Sequence, residues 1–276
     1  MPPHVLEFAS DDPAAARAVF SLYHAAPSTT DTPTLHYRIT RADAGAYVGH
    51  APTRPSFGPA PLAEVLAFIE WRATEDMLAP GRGVVFLHAA GVSIGQRLAL
   101  LVGDSGAGKS TIAAHLLVRG HLVLGDDLVR FAPDHLLYSA VARSFKLDGK
   151  SLSHLPLIAY RCSTGMLGTF LAAGCYYVSP AAIRRRWEAA KGQPVAVVLL
   201  DRASQREPTR LERMSEGEAA VLVTQTMLGV GVDGSTEARG KLAVRLLESL
   251  TNVTAYRAGG ADPAALALAL ERGLAA

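Results

Sequence analysis

Residues 103–110 carry the residue types and the spacing that bind the phosphates of a nucleotide. The segment fits the pattern G-x-x-x-x-G-K-[ST], in which glycines let consecutive backbone N–H groups converge on the phosphates. The lysine reaches the β- and γ-phosphates, and the hydroxyl after it ligates Mg²⁺. The pattern therefore predicts ATP and Mg²⁺ as cofactors. The predicted nucleotide-binding residues are Gly103, Asp104, Ser105, Gly106, Ala107, Gly108, Lys109, Ser110 and Thr111.

Two adjacent carboxylates, Asp126 and Asp127, are the first candidates for the chemistry itself. Facing a Mg-bound triphosphate, one can hold the metal or its water while the other accepts the proton of an attacking hydroxyl. Gly-Asp-Asp is also ordinary turn chemistry, so a solvated turn is the alternative. Asp201 follows an apolar run and is the second candidate, as the metal-linked carboxylate of a P-loop ATPase.

The hydrophobic pattern predicts the elements that must position these residues. Residues 98–102 form an apolar, strand-like run directly before the glycines, and residues 111–119 form a helix after them. This order of strand, loop and helix is the context that a phosphate-binding loop requires. Residues 121–124 and 195–200 predict strands that end at the candidate aspartates. Strands that alternate with helices predict an α/β fold with a mainly parallel, helix-covered sheet.

Length and composition predict a chain that buries a core and is organised in two units. The 276 residues are 49% hydrophobic and 19% charged, which is the profile of a globular protein. Residues 1–58 contain a short strand-like run among turns rich in proline and threonine, and further prolines cluster between residues 52 and 61. We therefore expect a small N-terminal subdomain at residues 1–58 and a P-loop kinase domain at residues 59–276.

Net charge and cysteine content limit the classes of binding partner and the cellular compartment that we expect for the protein. A formal net charge of +2 is too mild for a nucleic-acid-binding surface, and no apolar window reaches the length of a membrane span. The N-terminus lacks the basic start and apolar stretch of a signal peptide. The two cysteines, Cys162 and Cys175, are too few for a disulfide framework. We expect a cytoplasmic protein that binds neither nucleic acid nor membrane.

Several motifs occur together in the order found in a known kinase family. Residues 87–92 (LHAAGV), 103–110 (GDSGAGKS), 119–121 (RGH) and 125–129 (GDDLV) resemble HPr kinase/phosphorylase and its smaller relatives. Members of this family are bacterial serine kinases, and their nucleotide core is similar to that of ATP-dependent phosphoenolpyruvate carboxykinase. The clear resemblance covers residues 84–131. It implies an α/β P-loop kinase core of that type.

The resemblance also implies roles for individual residues. Lys109 and Ser110 match the family's phosphate and metal positions, and Asp126 matches the first paired aspartate, where the general base is expected. Asp127 matches the second, a metal partner, although the two roles could be exchanged. His88 matches a histidine that lies beside the γ-phosphate, whereas a histidine at a strand end is otherwise a surface or core residue. The implied catalytic residues are thus Asp126, Lys109 and His88, and the implied metal ligands are Ser110 and Asp127.

The chain also departs from HPr kinase. Thr111 stands where that family has an acidic residue, and the later glycine-rich loop linked to phosphorylase activity is missing. We therefore expect neither the reverse reaction nor HPr as substrate. Shorter relatives include kinases encoded with lasso-peptide biosynthesis genes, which are similar in size and at residues 143–147 (RSFKL). In that subgroup the implied substrate is a serine hydroxyl at the C-terminus of the precursor peptide. The resemblance further implies a homo-oligomer, with a hexamer as the form.

Three functions remain to be separated. The leading interpretation is a serine kinase that acts on a peptide or protein. A small-molecule kinase or plain ATPase would use Asp201 as its metal carboxylate, and a nucleotide-sensing binding module would bind ATP without turnover. Arg143, Lys146 and Lys150 follow the paired aspartates at a spacing that can bring positive charge over the transferring phosphoryl group, although a solvated basic loop would show the same pattern.

Overall fold

The computed structural model of the protein describes nine stretches of the chain. They are residues 6–23, 35–78, 85–141, 143–163, 170–172, 174–184, 191–201, 208–228 and 236–275. Residues 1–5 and 24–34 of the predicted N-terminal subdomain lie outside the described residues.

The helices and strands of these stretches alternate along much of the chain. The helices are α1 (Pro13–Tyr23), α2 (Leu62–Leu78), α3 (Lys109–Val118), α4 (Gly149–Ser153), α5 (Pro156–Ser163), α6 (Pro180–Ile183), α7 (Glu216–Gln225), α8 (Thr236–Ser249) and α9 (Pro263–Ala275). The strands are β1 (Leu6–Ser10), β2 (Leu35–Arg41), β3 (Tyr47–His50), β4 (Phe57–Ala60), β5 (Val85–Leu87), β6 (Ala90–Ile94), β7 (Arg97–Val102), β8 (Leu122–Gly125), β9 (Val129–Ala132), β10 (Leu137–Ala140), β11 (Phe145–Asp148), β12 (Phe170–Ala172), β13 (Cys175–Val178), β14 (Lys191–Gly192), β15 (Pro194–Leu200), β16 (Arg210–Arg213), β17 (Met227–Leu228) and β18 (Thr254–Gly259). None of the helices in the described stretches combines the length and apolar character needed to cross a membrane.

The first of the sheets belongs to a unit that we call the N-terminal layer, made of β1 to β4, α1 and α2. Its strands lie in the order β1-β2-β3-β4, and α2 packs its apolar face on them through Val65, Leu66 and Ile69. The boundary predicted between residues 58 and 59 falls inside β4, so the layer continues to the end of α2. The proline-rich segment is a strand because β4 lies at the sheet edge, where Pro59 loses no ladder hydrogen bond.

The central sheet places β7, the strand that enters the P-loop (residues 103–110), among its inner strands. Its described strands lie in the order β16-β18-β15-β7-β6-β8. β7 pairs in parallel with β15, and β15 pairs in parallel with β18. The pairings of β6 with β7, of β6 with β8 and of β16 with β18 are antiparallel. The α/β fold class is therefore confirmed, but the predicted parallel pairing holds for β18, β15 and β7 and not for the pairs formed by β16, β6 and β8.

A two-residue hairpin explains the antiparallel half of the sheet. Gly95 and Gln96 join β6 to β7, and their φ angles are 56° and 69°, the left-handed values of a type I′ turn. So short a loop can join only antiparallel strands. β8 pairs with the other side of β6, so β8 runs in the same direction as β7. The carboxyl ends of β7 and β8 consequently lie at one edge, with β6 between them.

Packing on both faces of the central sheet explains the unbroken apolar run of β7. Ala99 and Leu101 face the core built with α3 and α9, whereas Leu98, Leu100 and Val102 face a second core. The second core includes residues of α7, α8 and an antiparallel sheet with the strand order β14-β10-β9-β5-β17. A strand buried on both faces needs apolar residues at every position, which is the pattern of residues 98–102.

Candidate active site

The P-loop bends at glycines whose conformations other residues rarely adopt. Gly103 has a φ of 149°, and a Cβ there would lie 2.7 Å from the backbone oxygen of Leu200 at the end of the neighbouring β15. Gly108 has a φ of 99° and precedes α3 without giving a side-chain cap to the helix. Gly108 therefore caps none of the first N–H groups of α3 with a side chain. These N–H groups lie at the positive end of the helix dipole. This geometry favours a bound anion.

Lys109 lies almost fully buried beneath this loop, with 5% of its surface exposed. Its Nζ donates to the backbone oxygens of Gly103 at 2.8 Å and Asp104 at 3.2 Å, and it lies 3.2 Å from Nε2 of His88. Burial lowers the pKa of the Lys109 ammonium, while the charges of Asp127, Asp104 and Asp126 act in the opposite direction. The ammonium is therefore held at the loop by acceptors that a phosphate oxygen can replace.

The paired aspartates lie on a tight turn at the end of β8. A Cβ on Gly125 would lie 2.3 Å from the backbone oxygen of Leu128, so the turn closes only around a glycine. Asp126 is buried with 6% of its surface exposed, and its Oδ2 accepts a hydrogen bond from the Lys146 backbone N at 3.3 Å. Burial, with the charge of Asp127, raises the pKa of the Asp126 carboxyl to about 6. A carboxylate with a pKa this close to neutral can accept and release a proton.

His88 lies between the two halves of the site and contacts both. It precedes β6, and β6 runs opposite to β7 and β8, so the start of β6 lies at the edge where those two strands end. Nδ1 of His88 donates to Oδ1 of Asp127 at 3.1 Å, which leaves Nε2 to accept from Lys109. The chain Asp127–His88–Lys109 thereby links the aspartate turn to the P-loop.

A cleft of about 780 Å³ opens in front of these residues. Its walls include residues 105–112 of the P-loop and α3, His88, Asp126 and Asp127 on one side. The lining also includes residues of β11 and α4, and the segment at the start of α9. The volume lies in the range of pockets that bind drug-sized ligands, and the cleft is outside the carboxyl ends of the parallel strands, where α/β folds bind ligands.

The oxygen atoms in the cleft fit a magnesium ion. Oγ of Ser110 lies 3.5 Å from the backbone oxygen of Asp126, so the hydroxyl and the aspartate turn face each other. Hydroxyl and carboxylate oxygens are ligands that Mg²⁺ prefers, and it takes further ligands from water and phosphates. Within the part of the chain that the structure describes, no group of three His, Cys, Asp or Glu side chains forms a metal cage. Ser110 and Asp127 could hold Mg²⁺ together with a nucleotide.

Comparisons with known proteins give little information about the function of this site. No protein-family model matches the chain, and no curated protein matches it. Among solved structures, the fold is similar to the Hpr(Ser) kinase/phosphatase from Coxiella burnetii, with 14% sequence identity and a TM-score of 0.32. The similarity covers 68% of this chain and 91% of that one. At this TM-score the likeness does not establish the reaction, which has to be inferred from the residues of the cleft.

The structure brings the predicted catalytic and metal residues together in this one cleft. Asp126, Lys109 and His88 line it with Ser110 and Asp127, and so do Ser105, Gly106, Ala107, Gly108 and Thr111. The described residues that line the cleft do not include Gly103 or Asp104, whose backbone oxygens instead accept from Lys109. Asp201 is also absent from that lining; its backbone N donates to the Ala258 oxygen.

The sequence did not single out Glu70 or Cys175. Cys175 lines the cleft from β13, and Glu70 lies behind it on α2 with 3% of its surface exposed. A carboxylate among the buried positions Val65, Leu66, Ile69 and Ala73 of an amphipathic helix is a detectable signal, because buried charges require partners. No comparable signal marks Cys175.

Replacing Gly125 with alanine is expected to displace both aspartates. The added Cβ would overlap the Leu128 oxygen, and we expect the free energy of unfolding to fall by about 1–3 kcal/mol. Misplacing Asp126 should also lower kcat for phosphoryl transfer by up to about 100-fold. Thermal unfolding and steady-state kinetics measure the two effects.

The control is Gly240→Ala on α8, where nothing lies within 4 Å of the new Cβ and a wild-type rate is expected. A wild-type rate in Gly125→Ala would contradict the geometry of the turn.

Proposed function

We propose that the protein is an ATP-dependent kinase that transfers the γ-phosphoryl group to a serine hydroxyl of a peptide or protein. The observation that carries the proposal is a buried carboxyl, Asp126, with a pKa of about 6, in the same cleft as the P-loop lysine. A motor or switch needs a positioned water, whereas a buried base beside the phosphate site suits an acceptor hydroxyl. The serine at the C-terminus of a lasso-peptide precursor is the substrate that the sequence resemblance favours.

Each residue has a defined part in this reaction. The P-loop amides and Lys109 bind the β- and γ-phosphates, and Asp126 takes the proton from the acceptor hydroxyl. The hydroxyl oxygen then forms a bond to the γ-phosphorus while the bond from that phosphorus to the bridging oxygen breaks, which leaves ADP. Lys109 stabilises the charge that develops on the transferring group. His88 contacts both Lys109 and Asp127 and so holds the two side chains in their relative positions. Mg²⁺, when bound at Ser110 and Asp127, supplies charge neutralisation for the phosphates.

A P-loop ATPase or small-molecule kinase is the second candidate. It is favoured by the position of Asp201, which follows β15, the strand that pairs in parallel with β7. A carboxylate there can reach a metal at the phosphates of a P-loop enzyme. A nucleotide-sensing module without turnover is the third candidate, and the two aspartates in the cleft argue against it because binding alone does not need a proton acceptor.

Incubation with ATP, Mg²⁺ and synthetic peptides that end in serine tests the proposal. We expect a mass gain of one phosphoryl group on the peptide and formation of ADP in equal amount. The matched control peptide ends in alanine and should gain no mass. Internal-serine peptides extend the test to other protein acceptors. ADP release without a phosphorylated acceptor would support the ATPase, and bound but unconsumed ATP would support the sensor.

A further inference from the structure

A buried cluster of charges connects the N-terminal layer to the cleft. Glu70 of α2 is 3% exposed, and its two carboxylate oxygens contact different cations. Oε1 accepts from the Arg143 guanidinium, and Oε2 lies 2.9 Å from Nζ of Lys146. A second contact joins the same regions, because Oγ of Ser144 donates to the Leu22 oxygen of α1 at 3.0 Å. The segment from Arg143 to Lys146 is thus anchored to the N-terminal layer.

Arg143 is the inner cation of this cluster. It is 9% exposed, and it lies behind the aspartate turn, where its charge acts on Asp126 and Asp127. Burial opposes the Arg143 charge, but Glu70 and Asp126 outweigh it, and the pKa of Arg143 is raised. Burial likewise opposes the Glu70 charge, but Arg143 and Lys146 lower the pKa of that carboxyl. Both groups are therefore charged, as a desolvated pair must be to compensate one another.

Lys146 is the outer cation, and it faces the cleft. Its side chain is 36% exposed and lines the cleft, while its backbone N donates to Oδ2 of Asp126. Its ammonium lies 5.5 Å from the ring centroid of Tyr177 as well as next to Glu70. A lysine in water samples many rotamers, so a carboxylate and an aromatic ring on its flank restrict where the ammonium can point.

Lys146 is the cation of this cluster that lines the cleft. Glu70 carries one negative charge and contacts two cations, so the cluster has a net charge of +1 beside the phosphate site. The charges of Glu70, Asp126 and Asp127 compensate that of buried Arg143. Lys146 lines the cleft, where its charge can act on an anion.

We propose that Glu70 is a positioning residue for phosphoryl transfer, which holds the Lys146 ammonium at the cleft wall and makes the N-terminal layer part of the active site. The inference rests on the proposed function, and it adds a residue that touches neither nucleotide nor acceptor. Lys146 fixed in this way contacts the transferring phosphoryl group or the acceptor's negative charge, and Glu70 acts on that group by holding Lys146.

The kinetic test is a double-mutant cycle of Glu70→Gln and Lys146→Met. Each single variant is expected to lower kcat by about 10- to 100-fold, with a much smaller change in the affinity for ATP, which the P-loop binds. In the Lys146→Met background, Glu70→Gln should lower kcat by a smaller factor than in the wild type, because only its pairing with Arg143 remains to be lost. Leu66→Ala is the matched control, because Leu66 is buried on the same helix and lies outside the charge cluster. It should destabilise the N-terminal layer but keep the wild-type kcat per ATP-binding site.

An NMR measurement tests whether Glu70 holds the Lys146 ammonium in place, without relying on enzyme activity. Reductive methylation with ¹³C labels the five lysines, which are Lys109, Lys146, Lys150, Lys191 and Lys241. The Lys146 signal is identified by its loss in Lys146→Arg. In the wild type, we expect the chemical shift of the Lys146 signal to differ from that of the exposed Lys191. In Glu70→Gln, we expect the Lys146 signal to move to the chemical shift of an exposed lysine. An unmoved Lys146 signal, or an equal loss of kcat in Leu66→Ala, overturns the proposal for Glu70. A wild type that phosphorylates no acceptor overturns the proposed function instead, while the Lys146 signal still tests the contact.

Discussion

Asparagine in place of Asp126 is expected to lower kcat for phosphoryl transfer by about 10²–10⁴-fold. The substitution keeps the shape of the side chain and one oxygen, so the turn and the hydrogen bond from the Lys146 backbone N can persist. What is lost is a group that can take a proton, and the buried position leaves little room for water to replace it. Single-turnover measurements of phosphopeptide formation, with ATP affinity from calorimetry, separate the loss of chemistry from any loss of binding.

Asp201→Asn is the companion variant for this prediction. Asp201 does not line the cleft, so we expect the Asp201→Asn variant to retain phosphoryl transfer. If Asp201→Asn abolished the reaction and Asp126→Asn left it intact, the general base would have been assigned to the wrong strand. That result would favour the ATPase or small-molecule kinase, in which the carboxylate after β15 serves the metal.

The second large effect is expected for Lys109→Met. Methionine fills a similar volume but donates no hydrogen bonds, so the oxygens of Gly103 and Asp104 lose their partner and the phosphates lose a charge. We expect kcat/KM for ATP to fall by about 10²–10³-fold or more, because the lysine binds the group whose charge grows in the transition state. Calorimetric ATP titration and steady-state kinetics measure the change.

Lys191→Met is the control for charge. Lys191 is an exposed residue of β14, outside the residues that line the cleft, so its removal changes the net charge equally without touching the site. Its kcat/KM should equal that of the wild type. Should Lys109→Met bind and turn over ATP as the wild type does, the loop would not be a phosphate site.

The conformation of the loop at residues 103–110 was predictable because its requirements are local. Glycines at 103 and 108 adopt backbone conformations that few other residues tolerate, and the apolar run before them had to be a strand buried on both faces. The antiparallel half of the sheet had a local signal too. Gly95 and Gln96 form a two-residue hairpin, and the prediction, which rested on the alternation of strands and helices, did not use this signal.

The environment of Asp126 could not be predicted from neighbouring residues. Asp126 interacts with the charge of Arg143, which precedes β11, and with the backbone N of Lys146, which lies in β11. The anchor of that segment is Glu70, which lies 73 residues before Arg143 in the chain. Contacts between residues so far apart are set by tertiary packing, which hydrophobic periodicity does not specify.

The interposed strand β6 sets the width of the space in which chemistry can occur. Neighbouring strands are about 4.8 Å apart, so two strands that flank a third have ends separated by roughly 10 Å. The reversed direction of β6 also delivers an imidazole into the middle of the opening. A two-residue hairpin thus inserts one strand between the P-loop and the aspartate turn.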